Sequence, residues 1–209
     1  MKTVKKILFV SSNAKSLYNF RGDLIKEIKN KNHLVSAIIP KPKYSEKKEL
    51  LNLDINLKEI KLQNNKITYL NDLYSLIKIY YYIKKYKPDK IIAYTLKPII
   101  YTGLSLLFTK KQIEFYPIFT GLGSVFNSNN HFKILLLSKF VKLMLKISLL
   151  RSNKVLFQNK DNYNFFNKKI SKIKNHEIIL GSGVNLENFK YSRYTNQKII
   201  FIMIARLLK

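Results

Sequence analysis

The residues best placed to do chemistry form a turn, Thr120-Gly121-Leu122-Gly123-Ser124, set between an apolar run and a long helical pattern. Two glycines one residue apart let the chain turn tightly and bring bare backbone N–H groups against a ligand. A second polar group, Thr95 and Lys97, follows another apolar run and precedes Pro98, a residue suited to the first turn of a helix. A third, around Ser12 and Asn13, follows the first apolar run of the chain. Loops that follow strands in an open parallel sheet share one edge, and that edge is where such sheets hold ligands. Gly-x-Gly alone is a weak signal, and Thr-x-Lys reads equally well as a helix cap beside a solvated lysine. Their common position after strands therefore carries the expectation.

The elements that must position these loops follow from periodicity. Strands are expected at residues 7–10, 34–40, 55–62, 90–94, 113–118, 153–158 and 177–180, alternating with helices at 17–31, 68–86, 99–108, 131–150 and 161–169. Alternation at this spacing predicts a parallel α/β sheet covered on both faces. The stretch between Pro40 and Ile55 receives no element in this reading. Residues 199–205, Ile-Ile-Phe-Ile-Met-Ile-Ala, are apolar throughout, as a central parallel strand would be, so the chain is expected to end in the first strand of a second domain. That divides it into domains at 1–183 and 184–209.

Composition narrows the chemistry. Thirty-nine basic residues against 12 acidic ones give a formal charge of +27, which favours anionic partners. Arg21, Arg151, Arg193 and Arg206 are the four arginines; the remainder is lysine, and abundant Asn, Ile, Tyr and Phe alongside it point to a compositional bias that lowers the weight of the charge. Sparse arginine and the lack of an aromatic RNA-binding signature argue against nucleic acid. No cysteine is present, which excludes disulfides and thiolate chemistry. His33, His131 and His176 are scattered, so no metal motif is formed. The loop at 11–19 lacks Gly-x-G-x-x-Gly, which argues against a dehydrogenase, and neither a Gly-x-Ser-x-Gly elbow nor a P-loop occurs. The first apolar run is too short for a signal peptide, and no uninterrupted apolar run reaches about 18 residues.

Taken in order, Ile7-Leu8-Phe9-Val10-Ser11-Ser12-Asn13 with Leu17-Tyr18-Asn19-Phe20-Arg21, Tyr94-Thr95-Leu96-Lys97-Pro98, and Thr120-Gly121-Leu122-Gly123-Ser124 resemble the amino-terminal half of family 4 glycosyltransferases. Val155-Leu156-Phe157-Gln158-Asn159, Gly181-Ser182-Gly183-Val184-Asn185-Leu186 and Ala205-Arg206-Leu207 continue the resemblance over nearly the whole chain. The nearest likeness is to bacterial members that build surface polysaccharides and lipid-linked oligosaccharides.

The resemblance implies the acceptor-side Rossmann-like domain of a GT-B fold, with the donor site in a second domain and no required metal or other cofactor. It implies retention of anomeric configuration, a nucleotide-sugar donor and a lipid-linked or oligosaccharide acceptor. By motif position, Ser12, Asn13, Thr95, Lys97, Gly121, Leu122, Gly123 and Ser124 would line the cleft, and Arg206 would meet the donor diphosphate. The histidine that some relatives place near Leu96 is absent here, so the catalytic residues stay unassigned. A chain cut this way is expected to be inactive alone. The alternatives are a non-catalytic module for anionic surfaces or nucleic acid, and an acceptor subunit completed by a separate donor-domain chain. The helix at 131–150 has an apolar arc wider than the roughly 100° stripe that sheet packing requires, with Lys139, Lys142 and Lys146 in a narrow strip. It is therefore expected to meet an anionic membrane surface, which places the protein in the cytoplasm, peripheral on the inner face of the cell membrane.

Overall fold

A computed structural model describes residues 3–62, 68–121, 132–193 and 199–204. Strand β1 (Lys6–Ser11) is buried along nearly its whole length, as an apolar run at a sheet's centre should be. It is followed by α1 (Ala14–Asn30), β2 (Leu34–Pro40), α2 (Tyr44–Leu51), β3 (Asn56–Ile60), α3 (Tyr69–Tyr86), β4 (Lys90–Tyr94) and α4 (Leu96–Leu107). Then come β5 (Glu114–Phe119), α5 (Phe132–Leu149), β6 (Val155–Phe157), α6 (Lys160–Lys169) and β7 (His176–Ile178).

The strands form one seven-stranded sheet in the order β3-β2-β1-β4-β5-β6-β7, and every pairing is parallel. The chain winds outward from β1 to β3, then crosses back to place β4 on the other side of β1. Strand order thus reverses between β1 and β4, and it is at the carboxyl ends of strands flanking such a reversal that open α/β sheets hold ligands.

Alternate residues of each strand feed two cores. Leu8, Val10, Ile91, Ala93, Phe115 and Phe157 face the layer that includes α3, α4 and α5, whereas Ile7, Phe9, Val35, Ile39 and Ile118 face α1 and α2. In the first core Phe119, Phe157 and Phe166 cluster with ring centroids 5.0–5.6 Å apart, and such pairs are each worth about 0.5–1.5 kcal/mol beyond burial. Helix α4 lies at the centre of that layer, packed between α3 and α5. Its approach to α5 is close: a Cβ built on Gly103 would stand 2.3 Å from the backbone oxygen of Ser148. At the opposite edge Asp89 ties β1 to β4, its carboxylate accepting from the Lys6 N–H at 2.8 Å and its own N–H donating to the Lys6 carbonyl.

Two sequence expectations shift. Helix α2 forms where periodicity indicated nothing, because of its eight residues only Leu50 is buried and no apolar stripe announces it. Helix α4 begins at Leu96 rather than beyond Pro98, so Pro98 is its third residue, still within the first turn. Residues 199–204 are exposed and pair with no strand of this sheet. A strand exists by pairing, and β3 and β7, the edges of this sheet, have no partner in that segment. Among the described residues no helix is long and apolar enough to cross a membrane.

Candidate functional site

At the carboxyl end of β1 the chain leaves the sheet through Ser11, Ser12 and Asn13 and enters α1. Asn13 caps that helix, its side-chain oxygen accepting from the Ser16 N–H at 3.0 Å. Ser16 Oγ donates in turn to the Asn13 carbonyl at 2.7 Å, and Ser11 Oγ accepts from the Asn13 N–H at 3.1 Å. Neighbouring β4 ends in Tyr94 and turns into α4 through Thr95, whose backbone has φ 70° and ψ 156°. That region is close to glycine-only, and a β-branched residue held there carries strain of about 1–3 kcal/mol. The turn brings Thr95 Oγ1 to 2.5 Å from Ser12 Oγ. The two hydroxyls therefore bridge β1 and β4 at the reversal point of the sheet.

Below them lies a buried arginine. Arg21 follows Leu17 and precedes Ile25 on the inward stripe of α1 and is 4 % exposed. Its guanidinium stacks 5.1 Å from the centre of the Tyr94 ring and donates to the Phe20 carbonyl and to Ser182 Oγ, each at 2.9 Å. Gln158, at the end of β6, donates to the same Ser182 oxygen at 3.0 Å. Burial pushes the Arg21 pKa down and the Tyr94 pKa up; the proximity of each to the other opposes both shifts. Ser182 sits between Gly181 and Gly183, which take φ of 71° and 73°, values that favour glycine. A groove of about 970 Å³ opens here, lined by Asn19, Arg21, Asp23, Ser182, Gly183 and Asn185 among others. Ser12 and Thr95 do not line it: the groove opens on the α1 face, while the hydroxyl bridge sits at the sheet's edge.

Lys97 lies in the first turn of α4, and its Nζ pairs with Asp72 at 2.7 Å, with the two side chains only 13 % and 14 % exposed. The same carboxylate accepts from the Thr68 N–H and so anchors the start of α3. Tyr101 also bonds to Asp72, and burial together with that carboxylate pushes its pKa up. Lys97 thus joins α4 to the start of α3 near the carboxyl edge of the sheet. Gly121 lies two residues past β5 beside open space, with nothing within 4 Å of a Cβ built on it. Leu122, Gly123, Ser124 and Arg206 lie outside the described residues. No group of His, Cys, Asp or Glu that could hold a metal ion exists among the described residues.

Ser11, Ser12, Asn13, Ser16 and Thr95 supply hydroxyls and an amide with no titratable base among them. Such groups donate to and accept from neutral polyol oxygens and orient them; they do not move protons at neutral pH. Sequence reading assigned Ser12, Asn13 and Thr95 to the site but carried Arg21, Gln158 and Ser182 only within the motifs of the resemblance, without a site role. The signal for Arg21 was present: an arginine in a lysine-rich chain, standing four residues from Leu17 and four from Ile25.

Residues 6–159 match the family model described as glycosyl transferase 4-like. The chain belongs to that family. A curated relative, the N,N'-diacetylbacillosaminyl-diphospho-undecaprenol alpha-1,3-N-acetylgalactosaminyltransferase of Campylobacter jejuni, is 26 % identical over 185 residues, 88 % of this chain and 48 % of the relative. The chain thus spans about half the length of that protein. Among solved structures, a glycosyltransferase from Rickettsia africae superposes with a TM-score of 0.61 at 22 % identity, covering 90 % of this chain and 45 % of that one. The MnaA–UDP structure from S. aureus gives 0.57 at 14 % identity, covering 93 % and 50 %. The fold class expected from the glycosyl transferase 4-like motifs, a Rossmann-like parallel sheet with helices on both faces, is the one observed.

Proposed function

We propose that this glycosyl transferase 4-like chain forms the acceptor-side part of an enzyme that moves a sugar from a nucleotide-sugar to a lipid-linked acceptor with retention. The observation that carries the reading is the 2.5 Å contact between Ser12 and Thr95 at the switch point, in a chain whose residues 6–159 match this family. Those hydroxyls, with Asn13, Gly121, Leu122, Gly123 and Ser124, hold the acceptor sugar. Lys97 positions α4 beneath it. The name of the Campylobacter jejuni relative, which specifies an undecaprenol-diphosphate sugar, supports the class of acceptor. Donor binding falls to a second Rossmann-like domain, contributed by the same polypeptide or by a separate chain, with Arg206 at the donor diphosphate. Without that domain the 209 residues do not transfer sugar.

The test is transfer of labelled sugar to an undecaprenol-diphosphate acceptor by this chain alone and with a homologous second domain appended. Turnover is expected only in the completed protein, with the anomeric configuration of the product retained by NMR. Robust turnover by the short chain overturns the division of labour. In the completed enzyme Thr95→Val, Ser12→Ala and Gly123→Val should each raise KM for the acceptor; unchanged kinetics in folded variants would remove these residues from the site.

A further inference from the structure

Helix α3 carries apolar side chains on the wrong side. Ser75, Ile79 and Ile83 form its buried stripe, and Leu70, Leu73, Tyr74, Ile77 and Tyr81 occupy the diametrically opposite face, all exposed, with Leu70 at 85 %. Core packing explains one stripe of an amphipathic helix, not two. Helix α5 repeats the pattern: Leu145 and Ser148 are buried, whereas Leu135, Leu136, Phe140 and Leu143 are exposed on the other side. Both helices flank α4 in one layer, and both begin at the carboxyl edge of the sheet because each follows a parallel strand.

We infer that the outer faces of α3 and α5 together dock on an anionic lipid bilayer. Charge selects the occupant. Lys78, Lys84 and Lys85 border the α3 stripe and Lys139 and Lys146 lie within the α5 one; α5 has no acidic residue, and the one in α3, Asp72, is paired with Lys97. Leucine and isoleucine framed by tyrosine and lysine match the layered chemistry of a membrane interface: acyl chains below, the headgroup boundary for tyrosine rings, anionic phosphates for ammonium groups. A second copy of this chain would bring one lysine-rich face against another under a charge of +27 each. Nucleic acid would leave the apolar stripes uncovered.

The surface stands on these residues alone, whereas its use rests on the proposed function. A bilayer meeting this layer would lie beside the carboxyl edge of the sheet, where the proposed function has a lipid-linked acceptor enter. The experiment therefore measures docking without donor or acceptor: co-sedimentation of the 209-residue chain with vesicles of phosphatidylglycerol and phosphatidylcholine, against phosphatidylcholine alone. Binding is expected only to the anionic vesicles and weakens at high salt. Replacing Lys78, Lys84 or Lys85 by glutamine should lower the partition coefficient about fivefold per lysine. Leu70→Ser with Ile77→Ser and Tyr81→Ser should abolish it, and Leu135→Ser with Phe140→Ser should weaken it strongly. Tyr44→Ser with Leu51→Ser on α2, equally exposed, should change nothing. Circular dichroism is the check that each variant is folded. No binding by the parent chain overturns the inference, as does equal loss in the α2 control. Light scattering showing a dimer that the α3 changes dissociate, with no vesicle binding, reassigns the face to self-association and also overturns it.

Discussion

At the scale of single residues, Thr95 is where fold and function compete. Its φ of 70° is unfavourable for any side chain, yet the turn that imposes it delivers the hydroxyl to Ser12. Thr95→Gly and Thr95→Ala both lose that hydroxyl, but glycine alone sheds the backbone strain. Urea unfolding should therefore find the glycine variant more stable than the alanine variant by about 1–3 kcal/mol. Equal stabilities would mean the conformation is not strained. Carboxylates give a second test. Hydrogen bonds from Lys90 and Tyr116 hold Glu114 below its ordinary pKa, and those from Lys111 and the Lys6 N–H do the same for Asp89. A depressed folded pKa gives stability that is complete above the unfolded value, about 4, and is lost as pH falls through the lower folded one. The melting temperature should drop below about pH 4, and Glu114→Gln should flatten that acid limb; an unchanged limb would show that the pairing contributes nothing. Sequence could place Thr95 after a strand but could not show its φ, which follows from how β4 and α4 meet. Nor could it send Lys97 to Asp72, 25 positions away, because an ion pair between two helices is fixed by their packing.

Elements were legible in proportion to their apolar periodicity. The strands at the sheet's centre, β1, β2, β4 and β5, read directly because burial on both faces leaves an unbroken apolar run. Edge strand β3 is shorter than its alternating sequence suggests, since it is paired on one side only. Helix α2, with Leu50 as its one buried residue, has no pattern to read. Residues 199–204 show the converse: an apolar run with strand character makes no strand where no neighbour offers hydrogen bonds. Between helices, contact distance decides more than propensity. Gly103→Ala improves helix propensity by up to about 1 kcal/mol. It also drives a methyl to 2.3 Å from the Ser148 backbone oxygen, which cannot rotate away, and overpacking of this kind costs about 1–3 kcal/mol. The clash should win: Gly103→Ala lowers stability in chemical denaturation, and Ser148→Ala, which leaves the backbone oxygen in place, does not restore it. A more stable Gly103→Ala would show that α4 and α5 can slide apart freely.

Over the whole molecule, apolar surface is distributed unevenly. Helices α3–α6 follow β3–β6 and pack on one core, whereas the other face is covered by α1 and α2, leaving Ile92, Tyr116, Leu156 and Ile179 bordering the groove beside Arg21. Burial there would stabilise at roughly 25 cal/mol per Å², and residues 199–204 are apolar enough to supply it. They do not: Ile200, Ile202 and Ile204 are 57 %, 80 % and 96 % exposed. Side chains in that state bury little that unfolding would release. Ile200→Ser with Ile202→Ser and Ile204→Ser should therefore leave the free energy of unfolding within about 0.5 kcal/mol of the parent. The same changes remove an unpaired apolar segment able to template intermolecular pairing, so the concentration at which the chain stays monomeric should rise. Denaturant unfolding and light scattering measure the two effects separately. Loss of well over 1 kcal/mol would mean that the segment already packs against the groove face, and the open side of the sheet would then be closed from within the chain.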